Sequence, residues 1–199
     1  MDKKQQVYRG SSNYRNLIIY KKARLIGILN NYFVKTYINN RSRTTDQMDQ
    51  AARSGKQNIT EGLNDLETSF DTGIHLVNVA KGSLLELLCD YEDYLVFNDL
   101  EQWPKDDERT RAMRRLGASD KSAKYFLDLM KERTAETCAN MMIVLLYQAD
   151  YLAFRFLQAL GEQFEKEGGF KERLYRIRSE CRNKRGKNLY FKSPLQRGG

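Results

Sequence analysis

The chain has 199 residues, 41% hydrophobic and 30% charged, as expected of one globular domain that can bury a core. Its longest conspicuous uncharged run, 137–149, is shorter than the ~20 residues that span a bilayer. Residues 1–9 lack the apolar run of a secretory signal, and three cysteines without a CxxC pair indicate free thiols. We therefore expect a cytoplasmic protein with no membrane partner.

The net charge of +8 is concentrated at the C-terminal end of the sequence. Residues 171–199 contain ten Lys or Arg and two Asp or Glu, a net of +8. From totals of 34 basic and 26 acidic residues, 24 of each sign remain, so the rest of the chain is neutral. A basic tail attracts phosphates in a salt-sensitive, sequence-independent way. A tail that only solubilises the protein is the alternative.

Apolar residues recur at helical spacing in the first half of the chain. The first helix is expected from about residue 14 to 39. Thr44-x-x-Gln47 resembles a capping box that begins a central helix, and Gly62 is expected to end it. Ala and Gly on the inner side of this helix predict close approach by its neighbours. Thr68 or Ser69 caps the third helix, predicted from about 70 to 97.

The second half of the chain predicts an insert followed by a fourth long helix. Within a helical insert at 99–133, residues 108–131 are expected to form one or two short helices, separated near 117–120, with Ser119 as a cap of the second. The last long helix is predicted from about 135 to 167, ended by two glycines. Because no stretch alternates with period two, we expect no sheet. The predicted fold is all-α, an antiparallel (up-down) four-helix bundle with a helical C-terminal extension.

The domain organisation follows from these helices. Residues 1–13 are expected to be a flexible N-terminus, and 14–169 the bundle with its helical insert at 99–133. Residues 170–187 predict a basic helical tail, and 188–199 a disordered end. The tail supplies the predicted phosphate contacts, which are Lys171, Arg173, Arg176, Arg178, Arg182, Lys184, Arg185 and Lys187.

The sequence contains no motif that predicts catalysis, a metal or a cofactor. His75 is the single histidine, and a local interaction with Asp71, four residues earlier, is favoured over a ligand or catalytic role. Gly55-Lys56 and Lys81-Gly82 lie inside helical patterns, and the second pair has the reverse order, so neither matches a phosphate-binding loop. We expect a protein that is not an enzyme.

Several polar residues fall near inner helical positions. Buried polar groups need hydrogen-bond partners, so we expect them to form a structural network that fixes helix register or a subunit contact. Catalysis by the two glutamates is the less favoured alternative. The predicted members are Ser54, Asn58, Glu61, Ser83 and Glu86.

Two linked motifs carry a resemblance to a known family. They are Gln47…Ala51-Ala52…Ser54…Asn58-Ile59-Thr60-Glu61-Gly62 and Leu76…Ala80-Lys81-Gly82-Ser83-Leu84-Leu85-Glu86. Residues 14–97 resemble the four-helix bundle family of the large-subunit rRNA intervening-sequence protein. The same family includes the accessory variability determinant of diversity-generating retroelements. Its pattern is Ser-x-x-x-Asn-Ile-Ala-Glu-Gly followed by Ala-x-Gly-Ser-x-x-Glu, with Thr60 in place of the alanine here.

The second half resembles the C-terminal suffix domain on one branch of this family. The resemblance lies in Trp103-Pro104-Lys105, in 111–117 and in the stretch from Asn140 to Gly169 with Arg173. Two departures are Asp49-Gln50, where the family has paired arginines, and Lys56, where it has proline. Any contact those arginines make in relatives is therefore not carried over to this chain.

The resemblance implies a ring-shaped homo-oligomer, a homopentamer in characterised relatives, without enzymatic activity. Retroelement relatives bind a reverse transcriptase and RNA or DNA. The sequence therefore predicts an oligomeric scaffold or adaptor that binds nucleic acid through its basic tail, as an accessory protein of a mobile element or reverse transcriptase. A protein–protein interaction module without direct nucleic-acid binding is the alternative.

Overall fold

The computed structural model describes residues 14–38, 43–66 and 68–167, together with positions 175, 178–180 and 182. Within these residues every regular element is a helix, which confirms the predicted all-α class. The predicted flexible N-terminus (1–13) and disordered end (188–199) lie outside the described residues.

Six α-helices follow a short 3-10 helix at Tyr14–Asn16. In chain order they are α1 (Ile18–Tyr37), α2 (Arg43–Asp65), α3 (Phe70–Phe97), α4 (Glu108–Gly117), α5 (Ala123–Lys131) and α6 (Ala135–Glu167). The bounds of α3 and α6 agree with the predicted ones. Ser69 caps α3, since its Oγ accepts a hydrogen bond from the backbone N–H of Thr72 at 3.4 Å.

Two predicted helix ends are wrong. Gly62 does not end α2, which continues to Asp65, because this glycine serves a close helix contact and keeps a helical backbone. The insert forms two helices, α4 and α5, and α5 is capped by Ser122, whose Oγ accepts from Tyr125 N–H at 3.3 Å. Ser119, the predicted cap, instead donates its hydroxyl to the Leu116 carbonyl.

The four long helices pack on one another, and the insert packs on two of them. The main contacts join α2 to α3, α3 to α6, α1 to α2 and α1 to α6. Helix α4 lies against α6, and α5 lies against α1. The insert therefore stands over the side of the molecule where α1 meets α6, and this arrangement shapes the cleft described below.

Glycines allow the closest approach between α2 and α3. A Cβ atom on Gly62 would lie 2.9 Å from the carbonyl oxygen of Gly73, and one on Gly55 would lie 2.7 Å from the Leu84 side chain. The predicted close approach through small residues of α2 is present at Gly55 and Gly62. Helix α3 contributes Gly73 to this contact but not Gly82. Gly82 is exposed, and a Cβ atom placed there would meet nothing within 4 Å.

Candidate nucleic-acid interface

The basic tail is described at only a few positions. Arg178 and Arg182 are exposed and have helical backbone, as does Tyr175 between them and α6. The other predicted phosphate contacts lie outside the described residues, and these are Lys171, Arg173, Arg176, Lys184, Arg185 and Lys187.

Three of the five predicted network residues are joined by hydrogen bonds between α2 and α3. Asn58 Nδ2 donates to Ser54 Oγ at 3.1 Å, and the Ser54 and Ser83 hydroxyl oxygens are 2.9 Å apart. Ser83 also donates to the Val79 carbonyl at 3.2 Å. The donors therefore run in one direction, from the amide through both hydroxyls to a backbone carbonyl. This chain links the two helices without a charged group.

The two glutamates do not belong to that network. Glu61 is exposed and accepts a hydrogen bond from Gln57 at 2.9 Å, and Glu86 is also exposed. The prediction of inward positions is wrong because residues two apart lie ~200° apart around a helix, so Glu61 faces away from Ile59. Glu86 lies within a run of leucines, but membership of that run does not indicate burial, since Leu85 is exposed as well.

A second polar network connects α1, α2 and α3 and was missed from the sequence. Asn30 is fully buried; it donates to Asp49 Oδ1 at 2.9 Å and accepts from the Tyr91 hydroxyl at 3.0 Å. Burial raises the pKa of Tyr91 well above its ordinary value. Asp49 is half-buried. The available signal was Asn30 itself, a polar residue in register with buried Phe33 and Ile26.

A cleft of about 1830 Å³ lies between α1, α6 and the insert. We call it the basic cleft. Seven of its lining residues are basic, and they are Arg15, Lys21, Lys22, Arg24, Lys105, Arg114 and Lys121. The single acidic lining residue is Asp120. Four aromatic residues also line it, namely Tyr20, Trp103, Tyr147 and Tyr151.

The positive charge of the basic cleft is not neutralised within the described chain. Salt bridges among the described residues join other groups, such as Lys81 to Asp150 and Lys131 to Asp128, and none includes a cleft residue. Acidic side chains collect instead on α3, which carries five of them and one lysine, a net charge of −4. Helix α1 carries four basic residues and no acidic one. The neutral body is therefore strongly polarised.

Lys22 lies at the inner wall of the basic cleft. Lys22 is 6% exposed, and its ammonium donates to the Gly117 carbonyl and, at 2.9 Å, to Gln148 Oε1. Both acceptors are neutral, and burial lowers the pKa of Lys22 to about 8. Lys22 was not singled out from the sequence. Its register with buried Ile19 and Ile26 was the signal of an inward position.

Thr110 is a second buried polar residue in the cleft wall. The residue is 3% exposed, and in the part of the chain that the structure describes its Oγ1 has no hydrogen-bond partner. Buried hydroxyls without a partner are uncommon in native proteins. Thr110 and Lys22 therefore give the cleft wall two donors that are not fully used by the protein.

In the described ranges this is an all-helical protein with a basic, aromatic-lined cleft. No helix in the described ranges has both the length and the apolar character to cross a membrane. No three His, Cys, Asp or Glu side chains converge there as metal ligands. Comparison with protein-family models, curated proteins and solved structures gave no match. The resemblance to the intervening-sequence family therefore stays a prediction.

Proposed function

We propose that this protein is a non-enzymatic, oligomeric helical-bundle scaffold or adaptor that binds nucleic acid, as an accessory protein of a mobile element or reverse transcriptase. The proposed architecture is an antiparallel four-helix bundle of α1, α2, α3 and α6. Its support is that each of these helices has two of the others as its main partners. We propose no catalytic residue, metal or cofactor.

The observation that carries nucleic-acid binding is the separation of charge along the chain. Ten basic residues against two acidic ones lie within 171–199, after a body that is neutral in total. Arg178 and Arg182 are exposed. Neutralising phosphates with such side chains releases condensed counterions, and that release drives sequence-independent association with RNA or DNA. The proposed contacts remain the eight basic tail residues from Lys171 to Lys187.

Full-length protein in which those eight residues are replaced by glutamine tests this proposal. Duplex binding, followed by fluorescence anisotropy between about 50 and 200 mM salt, should weaken at least tenfold relative to the natural chain. The slope of log affinity against log salt should also fall by about 0.9 for each phosphate that the variant no longer neutralises. Equal affinities and equal slopes for the two proteins would refute binding through the tail.

A protein-interaction module is the second candidate function, and the surface of α3 favours it. Leu85, Val96 and Phe97 are 52%, 70% and 82% exposed. Contiguous exposed apolar groups mark interaction sites, and Val96 and Phe97 are neighbours at the end of α3. The same surface supports the proposed homo-oligomer, a ring and a pentamer by resemblance.

A further inference from the structure

The basic cleft has the two properties that single-stranded nucleic acid requires, unneutralised charge and exposed aromatic faces. We infer that it binds a single strand of RNA or DNA, with phosphates on its basic rim and bases against the tyrosines of α6. The inference rests on the proposed function and deepens it, because it adds a site in the body of the molecule that accepts only unpaired bases.

The rim supplies the phosphate contacts. Lys21 and Arg24 on α1 are exposed, and so are Lys105 and Lys121, on the opposite, insert side of the cleft. Within the described residues none of the four forms a salt bridge. Glu92 of α3 accepts hydrogen bonds from the lining residues Tyr147 and Gln102, but it pairs with none of the four. Positive charge on two facing walls creates the field that guides and holds a polyanion.

Helix α6 supplies the base contacts. Tyr147 and Tyr151 are 53% and 61% exposed and stand one turn apart on the same face, about 6 Å along the helix axis. The Tyr147 hydroxyl donates to Glu92 Oε1 at 2.9 Å, which fixes the position of its ring. Two rings held at this spacing form a platform for successive unstacked bases, and such stacking tolerates any sequence.

The form of the cleft favours a single strand over a duplex or a small molecule. Bases in a duplex are stacked and paired, so aromatic side chains reach their faces only in single strands. A volume of about 1830 Å³ exceeds the ~300–1,000 Å³ of ordinary small-ligand pockets. An extended chain of several nucleotides fits a site of this size and charge.

The inner wall of the cleft offers a further hydrogen-bond donor to a phosphate that is bound deep in the cleft. Lys22 donates only to neutral oxygen atoms, and Thr110 has an unpartnered hydroxyl in the described chain. An ammonium and a hydroxyl are both donors to a non-bridging phosphate oxygen, and a charge-assisted bond of this kind is stronger than a neutral one. Because the Thr110 hydroxyl is buried out of reach of solvent, Lys22, which is 6% exposed, is the donor that a phosphate at this wall meets first.

The test uses full-length protein whose eight basic tail residues are glutamine, so that the tail does not obscure the cleft. In that background Lys21, Arg24, Lys105 and Lys121 are replaced by glutamine. The control replaces four exposed basic residues outside the cleft, Lys35, Arg53, Lys56 and Lys124. Anisotropy with a single strand of about 12 nucleotides should show at least tenfold weaker binding for the cleft variant and under twofold change for the control.

A second pair of variants separates stacking from charge. Tyr151→Ala should weaken single-strand binding about tenfold, since one base then has no ring to stack on. Phe154→Ala, on the same helix and 48% exposed but outside the cleft lining, should change it less than twofold. Circular dichroism melting of each variant verifies that it is folded.

The outcomes distinguish this inference from the proposed function. Single-strand affinity that disappears with the tail, or that responds equally to cleft and control variants, overturns the cleft inference and leaves tail binding intact. The cleft inference is also overturned if polyglutamate competes as well as the oligonucleotide and Tyr151→Ala does not change single-strand affinity. These two results together would show attraction by charge alone. A natural chain that binds neither duplex nor single strand removes both proposals.

Discussion

Lys22 is the residue whose environment departs most from what its chemistry favours. A buried ammonium ordinarily pairs with a carboxylate, yet this one donates to a backbone carbonyl and to the Gln148 amide oxygen. Gln148 in turn donates to the Arg114 carbonyl at 2.8 Å. The lysine therefore fastens the end of α4 to α6 and α1 while it keeps a positive charge beside the cleft. Burying this ammonium carries a desolvation cost, which is the cause of the lowered pKa of Lys22.

This cost predicts a particular dependence of stability on pH. The pKa of Lys22 falls from its ordinary 10.5 to about 8 in the folded protein, so the unfolded chain binds more protons between these values. The free energy of unfolding should therefore rise with pH across this window, by about 1–2 kcal/mol between about pH 7.5 and 9.5 after allowance for solvent screening. Urea denaturation at the two pH values measures it.

Lys22→Met removes the titrating group while keeping the side chain's length, and it should abolish the rise. Lys35→Met, at an exposed position of the same helix, is the control and should behave like the natural chain. Burial also raises the pKa of Cys138 and the pKa of Tyr91. Ionisation of these groups in the unfolded chain lowers stability as pH rises, within the window for the thiol and above about pH 10 for the phenol. The contribution of Lys22 is therefore the difference between the natural chain and Lys22→Met at each pH. The same pH response in the Lys22→Met protein would disprove the assignment to Lys22.

At the scale of elements, the contact between α2 and α3 shows how residue size sets helix spacing. The two helices make the most extensive contact of any pair, and Gly62 faces the backbone of Gly73 across it. A methyl group at Gly62 would stand 2.9 Å from the Gly73 carbonyl oxygen, a backbone atom that cannot move unless the helices separate. Overpacking of this kind costs ~1–3 kcal/mol.

Gly62→Ala should therefore lower the free energy of unfolding by about 1–2 kcal/mol, after the gain in helix propensity that alanine brings. Gly82→Ala is its control, because that glycine is helical and exposed with nothing within 4 Å of an added Cβ atom. This control should raise stability by ~0.5–1 kcal/mol. Urea denaturation of both proteins gives the two values, and a stabilising Gly62→Ala would contradict the close contact.

The same elements show which parts of the fold were accessible from the sequence. Long apolar periodicity predicted α3 and α6, together with a capping serine for α3 and a glycine pair after α6, because these signals are local. The end of α2 was not predicted correctly, because the close contact that Gly62 makes with Gly73 exists only once the two helices are packed together. The cap of α5 was misplaced by three residues, from Ser119 to Ser122, because two serines in one polar loop give equivalent local signals.

At the scale of the whole molecule, the basic cleft could not be predicted because its residues come from distant parts of the chain. Arg15, Lys105 and Tyr151 meet only when the insert packs across α1 and α6. Counting charge along the sequence averaged basic α1 with acidic α3 and gave a neutral body. The tail was visible because its charge is contiguous. Summing charge along the sequence therefore detects a contiguous basic segment, but it does not detect a basic surface formed by residues from distant parts of the chain.

The exposed side chains of α3 carry the prediction for assembly. Light scattering of the natural chain should give a multiple of the 23.3 kDa protomer mass, and Leu85→Lys/Val96→Lys should return it to one protomer. Burying a leucine or valine contributes ~1.5–3 kcal/mol, whereas a lysine buried in the same contact adds an unpaired charge. Phe154→Lys introduces the same group at an exposed site on α6 and should leave the oligomer intact. A natural chain at the protomer mass would refute assembly, and an oligomer unaffected by the double substitution would move the interface away from α3.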